Sequence, residues 1–280
     1  MPDTPSEPDA RRITAYMRPR ILAVANQKGG VGKTTTAINL ATALAARGER
    51  VLLIDLDPQG NASTGLGLSR SERRNGTYRL LTEPLDLAAV QRASFVPNLW
   101  LVPSDPDLAG AEIELVAEPR REFRLRDALS RSRAGPQPSY VLIDCPPSLG
   151  LLTLNGLAAA DGVLVPLQCE FFALEGISQL LHTIDLVKRG LNPALRLHGI
   201  VLTMYDRRNN LSEQVAADAR GFFGDQVYDT IIPRNVRISE APSHGKPVLL
   251  YDFRSPGAQA YVQLASELLR RERGLPVATA

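Results

Sequence analysis

The sequence predicts an α/β fold: a doubly wound, mostly parallel sheet with helices on both faces. Three observations predict it. Short continuous apolar runs, the mark of strands buried on both faces, alternate with helix-period stretches along most of the 280 residues. A Gly-rich segment over residues 27–36 separates the first such run from the first helical pattern. Acids stand at the ends of two later runs, Asp55 with Asp57 and then Asp144, at the sheet edge where ligands collect in open α/β folds. At 44% hydrophobic content the chain suits one large core better than two. A single domain is expected over residues 20–272, with a mobile arm over 1–19 and a tail over 273–280.

Taken in order, Ile21-Leu22-Ala23-Val24-Ala25 is the first strand. Thr35 to Arg47 then places Ile38, Leu40, Ala41, Leu44 and Ala45 at helical spacing, with Gly48 as the stop. Val51-Leu52-Leu53-Ile54 is the second strand, which completes a βαβ unit and implies a right-handed crossover. Further strands are expected at Leu99–Val102, Tyr140–Ile143, Gly162–Val165, Leu197–Leu202, Val227–Ile232 and Val248–Leu250. Helices are expected near Leu108–Val116, Glu122–Arg131, Leu151–Ala159, Leu174–Arg189, Leu211–Phe223 and Ala258–Arg271. Residues 69–97 have weak periodicity and are read only loosely as helical.

Composition narrows the class. The 32 basic and 30 acidic residues nearly cancel to a net charge of +2, so any basic surface must come from arrangement. Only four of the basic residues are Lys, a bias that reads as composition rather than function. Cys145 and Cys169 lie in apolar contexts without CxxC spacing, which points to buried thiols in a reducing cytosol. No run approaches the roughly eighteen apolar residues of a membrane span. The arm carries four prolines and few large apolar groups, with Arg11, Arg12, Arg18 and Arg20 at its end.

The Gly-rich segment is a phosphate cradle of irregular form. In Gln27-Lys28-Gly29-Gly30-Val31-Gly32-Lys33-Thr34-Thr35-Thr36, the usual first glycine of a phosphate loop would fall at position 27, where Gln stands, and a second lysine follows it. Gly29, Gly30 and Gly32 allow a backbone whose N–H groups converge on phosphate oxygens. The following helix N-terminus adds partial positive charge. Lys33 suits the β- and γ-phosphates and the Thr34 hydroxyl suits Mg²⁺. Tyr140-Val141-Leu142-Ile143-Asp144 is four apolar residues ending in an acid, a pattern that holds Mg²⁺ in nucleotide enzymes. Physics alone leaves Lys28 unassigned, since two loop lysines repel unless an anion lies between them.

Lys28-Gly29-Gly30-Val31-Gly32-Lys33-Thr34-Thr35 resembles the deviant Walker A motif of the MinD/ParA class of P-loop ATPases. The blocks Asp57–Gly67, Pro166–Glu170, Thr203–Asp206 and Pro233–Ser243 are similar to ParA/Soj chromosome or plasmid partition ATPases. The resemblance implies a fold, a chemistry and a set of partners. Lys28 would cross the interface of an ATP sandwich homodimer and touch the partner's nucleotide. ATP would be held by Lys28 to Thr35, with Pro233 and Asn235 lining the adenine pocket. Lys28, Lys33 and Asp57 would serve catalysis, Asp57 by positioning the attacking water. Thr34, Asp57 and Asp144 would hold Mg²⁺, and Asp55 would support its shell or the loop. Arg208 falls where the family carries a DNA-contacting arginine, and Arg207, Arg234, Arg237 and Lys246 would widen the patch for non-specific double-stranded DNA. A ParB-type centromere-binding partner would stimulate hydrolysis, and the protein would be cytoplasmic and nucleoid-associated. About twenty residues precede the first strand, so the operator-binding helix-turn-helix of longer plasmid relatives is not expected.

Two other classes compete. A MinD-like membrane-cycling division regulator needs a C-terminal amphipathic anchor, but Leu264–Leu269 is short and Gly274-Leu275-Pro276 interrupts the tail. An iron-protein-like reductase needs two cysteines per subunit that share a cluster, and the contexts of Cys145 and Cys169 do not match that pattern. No membrane partner is expected.

Overall fold

A computed structural model describes residues 18–131, 137–170 and 173–274. The elements run β1 (Arg20–Val24), α1 (Lys33–Ala46), β2 (Val51–Asp55), α2 (Asn61–Gly65), α3 (Thr77–Thr82), β3 (Arg92–Ala93), β4 (Leu99–Val102), α4 (Leu108–Glu114), α5 (Arg124–Arg131) and β5 (Tyr140–Asp144). There follow α6 (Leu151–Ala159), β6 (Gly162–Gln168), α7 (Ala173–Gly190), β7 (Arg196–Thr203), α8 (Asn210–Phe223), α9 (Val236–Glu240), α10 (Val248–Tyr251) and α11 (Pro256–Arg273). The expected arm lies outside the described residues up to position 17, as does the tail beyond Gly274. Of the arm's basic residues, Arg18 pairs with Asp161 at 2.8 Å and Arg20 with Glu272 at 3.0 Å.

The seven strands form one sheet in the order β3-β4-β2-β5-β1-β6-β7, parallel throughout except for β3 against β4. The chain winds outward from β1 through β2 to β4, returns to insert β5 between β1 and β2, and then leaves on the other side through β6 and β7. The reversal therefore lies at the C-terminal ends of β1, β5 and β6, where such sheets open a crevice. Alternate residues of each central strand feed two separate cores. Leu22, Val24, Leu53 and Leu142 face one core together with α1 and α11. Ile21, Ala23, Leu52, Ile54, Val141 and Ile143 face the other, which α3 to α8 cover. Both faces are covered, so the strands read as continuous apolar runs rather than alternating ones.

Three expectations change. Val248–Leu250 is the short helix α10, not a strand. Pro247, its N-cap, has no N–H to give a ladder, and the Val248 N–H is taken by the Asn39 side chain of α1 at 2.7 Å. Val227–Ile232 makes one isolated parallel bridge to the β7 edge, Ile200 with Val227, and a second follows just beyond both segments, Tyr205 with Pro233. Backbone bonds to β7 remain at Tyr228 and Ile232, but between them the Glu267 carboxylate accepts from the Asp229 and Thr230 N–H groups, both at 2.9 Å, and interrupts the ladder. Residues 69–97 hold only one short helix, α3. The rest is single turns and the antiparallel strand β3, which the sequence reading did not foresee.

Candidate active site

The loop after β1 is built by side chains as much as by glycines. The Asn26 side chain donates to the Pro166 carbonyl of β6 at 2.8 Å and accepts from the Lys28 N–H at 3.1 Å. Across the loop, the Thr203 hydroxyl at the end of β7 donates to the Val31 carbonyl at 2.9 Å. Gly30 (φ +75) and Gly32 (φ +89) take left-handed conformations that a side chain would strain. Gly32 is also the N-cap of α1, with no side-chain cap and no acid in the first turn. A helix N-terminus left this way is an anion site.

Lys33, the first residue of α1, is only 7% exposed, and its ammonium donates to the Lys28 carbonyl at 3.0 Å. Burial lowers its pKa, while the carboxylates of Asp144 and Asp57 pull the other way. Lys28 behaves differently. It is 35% exposed and pairs with a 47% exposed Glu170 at 3.0 Å, a contact that water screens. Glu170 in turn accepts from the Gln168 side chain.

Asp55 and Asp144 close their strands in register with one another, both fully buried. Asp55 Oδ2 accepts from the N–H and hydroxyl of Ser63 at 2.7 and 2.6 Å, while its Oδ1 has no hydrogen-bond partner among the described residues. Neither oxygen of Asp144 has one. Burial pushes both carboxyls up, and neighbouring carboxylates add to the shift, Asp57 at Asp55 and Asp55 with Asp57 at Asp144. For Asp144 the nearby Thr34 hydroxyl, outside hydrogen-bond geometry, and the Lys33 ammonium offset this only in part. Buried carboxylate oxygens without donors are costly unless a cation supplies the missing charge. Among the described residues there is no cluster of three or more His, Cys, Asp or Glu side chains that could hold a metal. The donor set here, few carboxylates and a Thr hydroxyl beside a phosphate cradle, matches how Mg²⁺ binds with phosphate oxygens and water. Asp57 lies two residues beyond β2, nearly buried, and its Oδ1 accepts from the Gln59 N–H at 2.9 Å.

A cleft of about 450 Å³ opens beside the loop, lined by Gly32, Thr35, Met204, Pro233, Asn235 and Ile238 among others. Met204 is itself in the left-handed region (φ +52), an uncommon state for a large side chain. Pro233 and Asn235, named from the sequence, thus stand on the wall of a cleft that reaches the phosphate loop. Asn235 also caps α9, accepting from the Arg237 N–H at 3.0 Å.

The five basic residues do not behave alike. Arg208 is 88% exposed and paired with Asp206 through two bonds of 3.0 and 2.9 Å. Arg237 is held by Glu240 at 2.9 Å and Asp252 at 3.3 Å. Arg207, Arg234 and Lys246 are exposed with no ion-pair partner among the described residues. The Arg234 N–H donates to the Tyr205 carbonyl at 2.9 Å, which joins the 205–208 turn to the 233–237 segment. The sequence reading missed Asn26, Ser63 and Thr203. Ser63 and Thr203 lie within the blocks that resemble the family but were given no role, because the partners of all three, Pro166, Asp55 and Val31, are set by the fold.

A family model described as an AAA domain matches residues 19–197. The chromosome partitioning protein ParA of Caulobacter vibrioides is 63% identical over 254 residues, 91% of this chain and 95% of that one. This chain belongs to the ParA/Soj family of partition ATPases. The sporulation initiation inhibitor Soj of Bacillus subtilis is 53% identical, over 89% of this chain and 98% of its own length. Among solved structures, a cobyrinic acid a,c-diamide synthase of Mycobacterium smegmatis with bound ADP and magnesium superposes with a TM-score of 0.80 and 39% identity. The match covers 94% of this chain and all of that one. As a ParA-family ATPase the chain uses ATP and Mg²⁺, which the orphaned carboxylates and the uncapped helix accommodate. Among the described residues no helix is long and apolar enough to cross a membrane.

Proposed function

We propose that this ParA-family ATPase is a partition switch in which ATP pairs two copies of the chain, pairing creates a grip on DNA, and hydrolysis releases it. The observation that carries the reading is the division of labour between the two loop lysines. Lys33 is buried within its own cradle, where it can serve the β- and γ-phosphates of the ATP bound there. Lys28, part-exposed, is held in a screened pair with Glu170 and can exchange that partner at little cost for a phosphate on a second copy.

In this reading the N–H groups of Gly29 to Thr35 cradle the phosphates, and Pro233 and Asn235 border the adenine. Thr34, Asp144 and Asp57 hold Mg²⁺, which would neutralise charge on the phosphates. Asp57, oriented by the Gln59 N–H, positions the attacking water. Arg208 with Arg207, Arg234, Arg237 and Lys246 forms one half of a DNA surface that two copies complete. A ParB-type partner stimulates hydrolysis, and the protein works in the cytoplasm on the nucleoid. Lys28→Ala separates pairing from binding. ATP affinity should stay within about threefold of wild type, while light scattering shows a monomer in ATP and DNA retention is lost. A stable ATP-dependent dimer in that variant refutes the reading.

A further inference from the structure

Arg73 is a buried arginine that no part of the reading above uses. It is 7% exposed, yet among the described residues no carboxylate lies within ion-pair distance of it. Its guanidinium is spent instead on α2 and the turn that follows it. Nε and Nη2 donate to the Leu68 carbonyl at 3.2 and 3.1 Å, and Nη2 also donates to the Thr64 hydroxyl, which itself donates to the Gly60 carbonyl at 3.1 Å. The third nitrogen, Nη1, backs Gly60 so closely that a Cβ there would lie 2.1 Å from it. Gly60 is the N-cap of α2 and the end of the Asp57 turn. Its N–H donates to the Asp57 carbonyl at 2.9 Å, next to the Gln59 N–H that fixes the Asp57 carboxylate.

The arginine is itself anchored. A Ser69–Glu72 capping box shapes the turn before it, and Arg92 on β3 donates to the carbonyls on either side, those of Glu72 and Arg74. Burying a guanidinium without a carboxylate partner is expensive, and a neutral side chain would fill the space at lower cost. Burial pushes the guanidinium pKa down, and Asp55, beyond contact distance, offsets this only in part.

We propose that Arg73 is a positioning residue for ATP hydrolysis, which clamps Gly60 and α2 so that the turn carrying Asp57 keeps its shape through turnover. The proposal rests on the role given to Asp57 above. In the full-length protein with ATP and Mg²⁺, Arg73→Met should lower kcat at least fivefold while KM for ATP and the affinity for a fluorescent ATP analogue change less than twofold. Arg73→Lys keeps the charge but cannot span Leu68, Thr64 and Gly60 together, and should recover less than half of the lost rate. If Arg73→Met does not fold, Thr64→Val, which removes one acceptor and leaves the arginine, should lower kcat about twofold or more at constant KM. Wild-type kcat in Arg73→Met, full recovery in Arg73→Lys, or a parallel loss of nucleotide affinity would each overturn the proposal. The two readings separate cleanly. Wild-type turnover in Asp57→Ala defeats the role of Asp57, whereas an inactive Asp57→Ala beside a fully active Arg73→Met defeats the clamp alone.

Discussion

Side chains at the two ends of the sheet are held for opposite reasons. At the C-terminal ends, Asp55 and Asp144 are buried with oxygens that want a cation. At the other end, His198 is buried where a cation is unwelcome. Its Nδ1 lies 3.3 Å from Glu272, but burial pushes the imidazole down to about 4 from its ordinary 6.5, and Arg20, Arg196 and Arg271 add to the shift. The folded state therefore keeps His198 neutral, while the unfolded chain takes up a proton as the pH falls through 6.5. This contribution to stability is complete above 6.5 and is lost as the pH falls toward 4, by about 3 kcal/mol in total. The raised carboxyls of Asp55 and Asp105 act with the opposite sign in the same range, so the test is a difference. Urea unfolding at pH 7 and pH 5 should show wild type losing more stability on acidification than His198→Gln. Equal losses would mean that His198 is solvated.

At the scale of elements, α1 carries the site on its first turn and the core on its length. Leu40 and Leu44 are fully buried in the core that α1 shares with α11, where Leu264 and Leu268 are also fully buried. Leu40→Ala should cost about 3 kcal/mol, from lost transfer energy and the cavity left behind, read as a lowered urea midpoint at unchanged slope. A loss under about 1 kcal/mol would show that this face repacks. The βαβ unit that carries α1 was legible because strand, loop, helix and strand follow one another with local signals: apolar runs, glycines and the Gly48 stop. Val248–Leu250 and Val227–Ile232 were not. Each is a short apolar run that suits either state, and the choice was made by groups far away, Asn39 for the first and Glu267 for the second. Arg73 escaped for the same reason, since nothing near it in sequence announces that its side chain backs Gly60.

For the whole molecule, the DNA grip proposed above would depend, at a net charge of +2, on the placement of a few arginines rather than on total charge. Arg208 stands almost fully in solvent, and its local pair with Asp206 holds that carboxyl down to about 2. Such an exposed pair opens at little cost, which frees the guanidinium for a phosphate. Arg208→Glu should abolish ATP-dependent retention on non-specific DNA while leaving ATP-dependent dimerisation intact. Wild-type retention should fall steeply with salt, because each phosphate contact releases counterions. Retention of the variant equal to wild type at low salt would remove Arg208 from the surface.

The sequence by itself determined the winding of the sheet, the phosphate loop with its two lysines, and the acids that end the strands. Those are properties of residues close along the chain, where periodicity and glycine placement act directly. The tertiary structure decided which of these groups meet. It set Asp55 beside Asp144 across two strands, brought Pro233 and Asn235 to the wall of a cleft at the loop, and buried Lys33 while leaving Lys28 part-exposed. The physical reason is that burial and pairing belong to the packed chain. Two lysines five residues apart are alike in sequence, and only the protein around them buries one within its own loop and leaves the other part-exposed in a pair with Glu170.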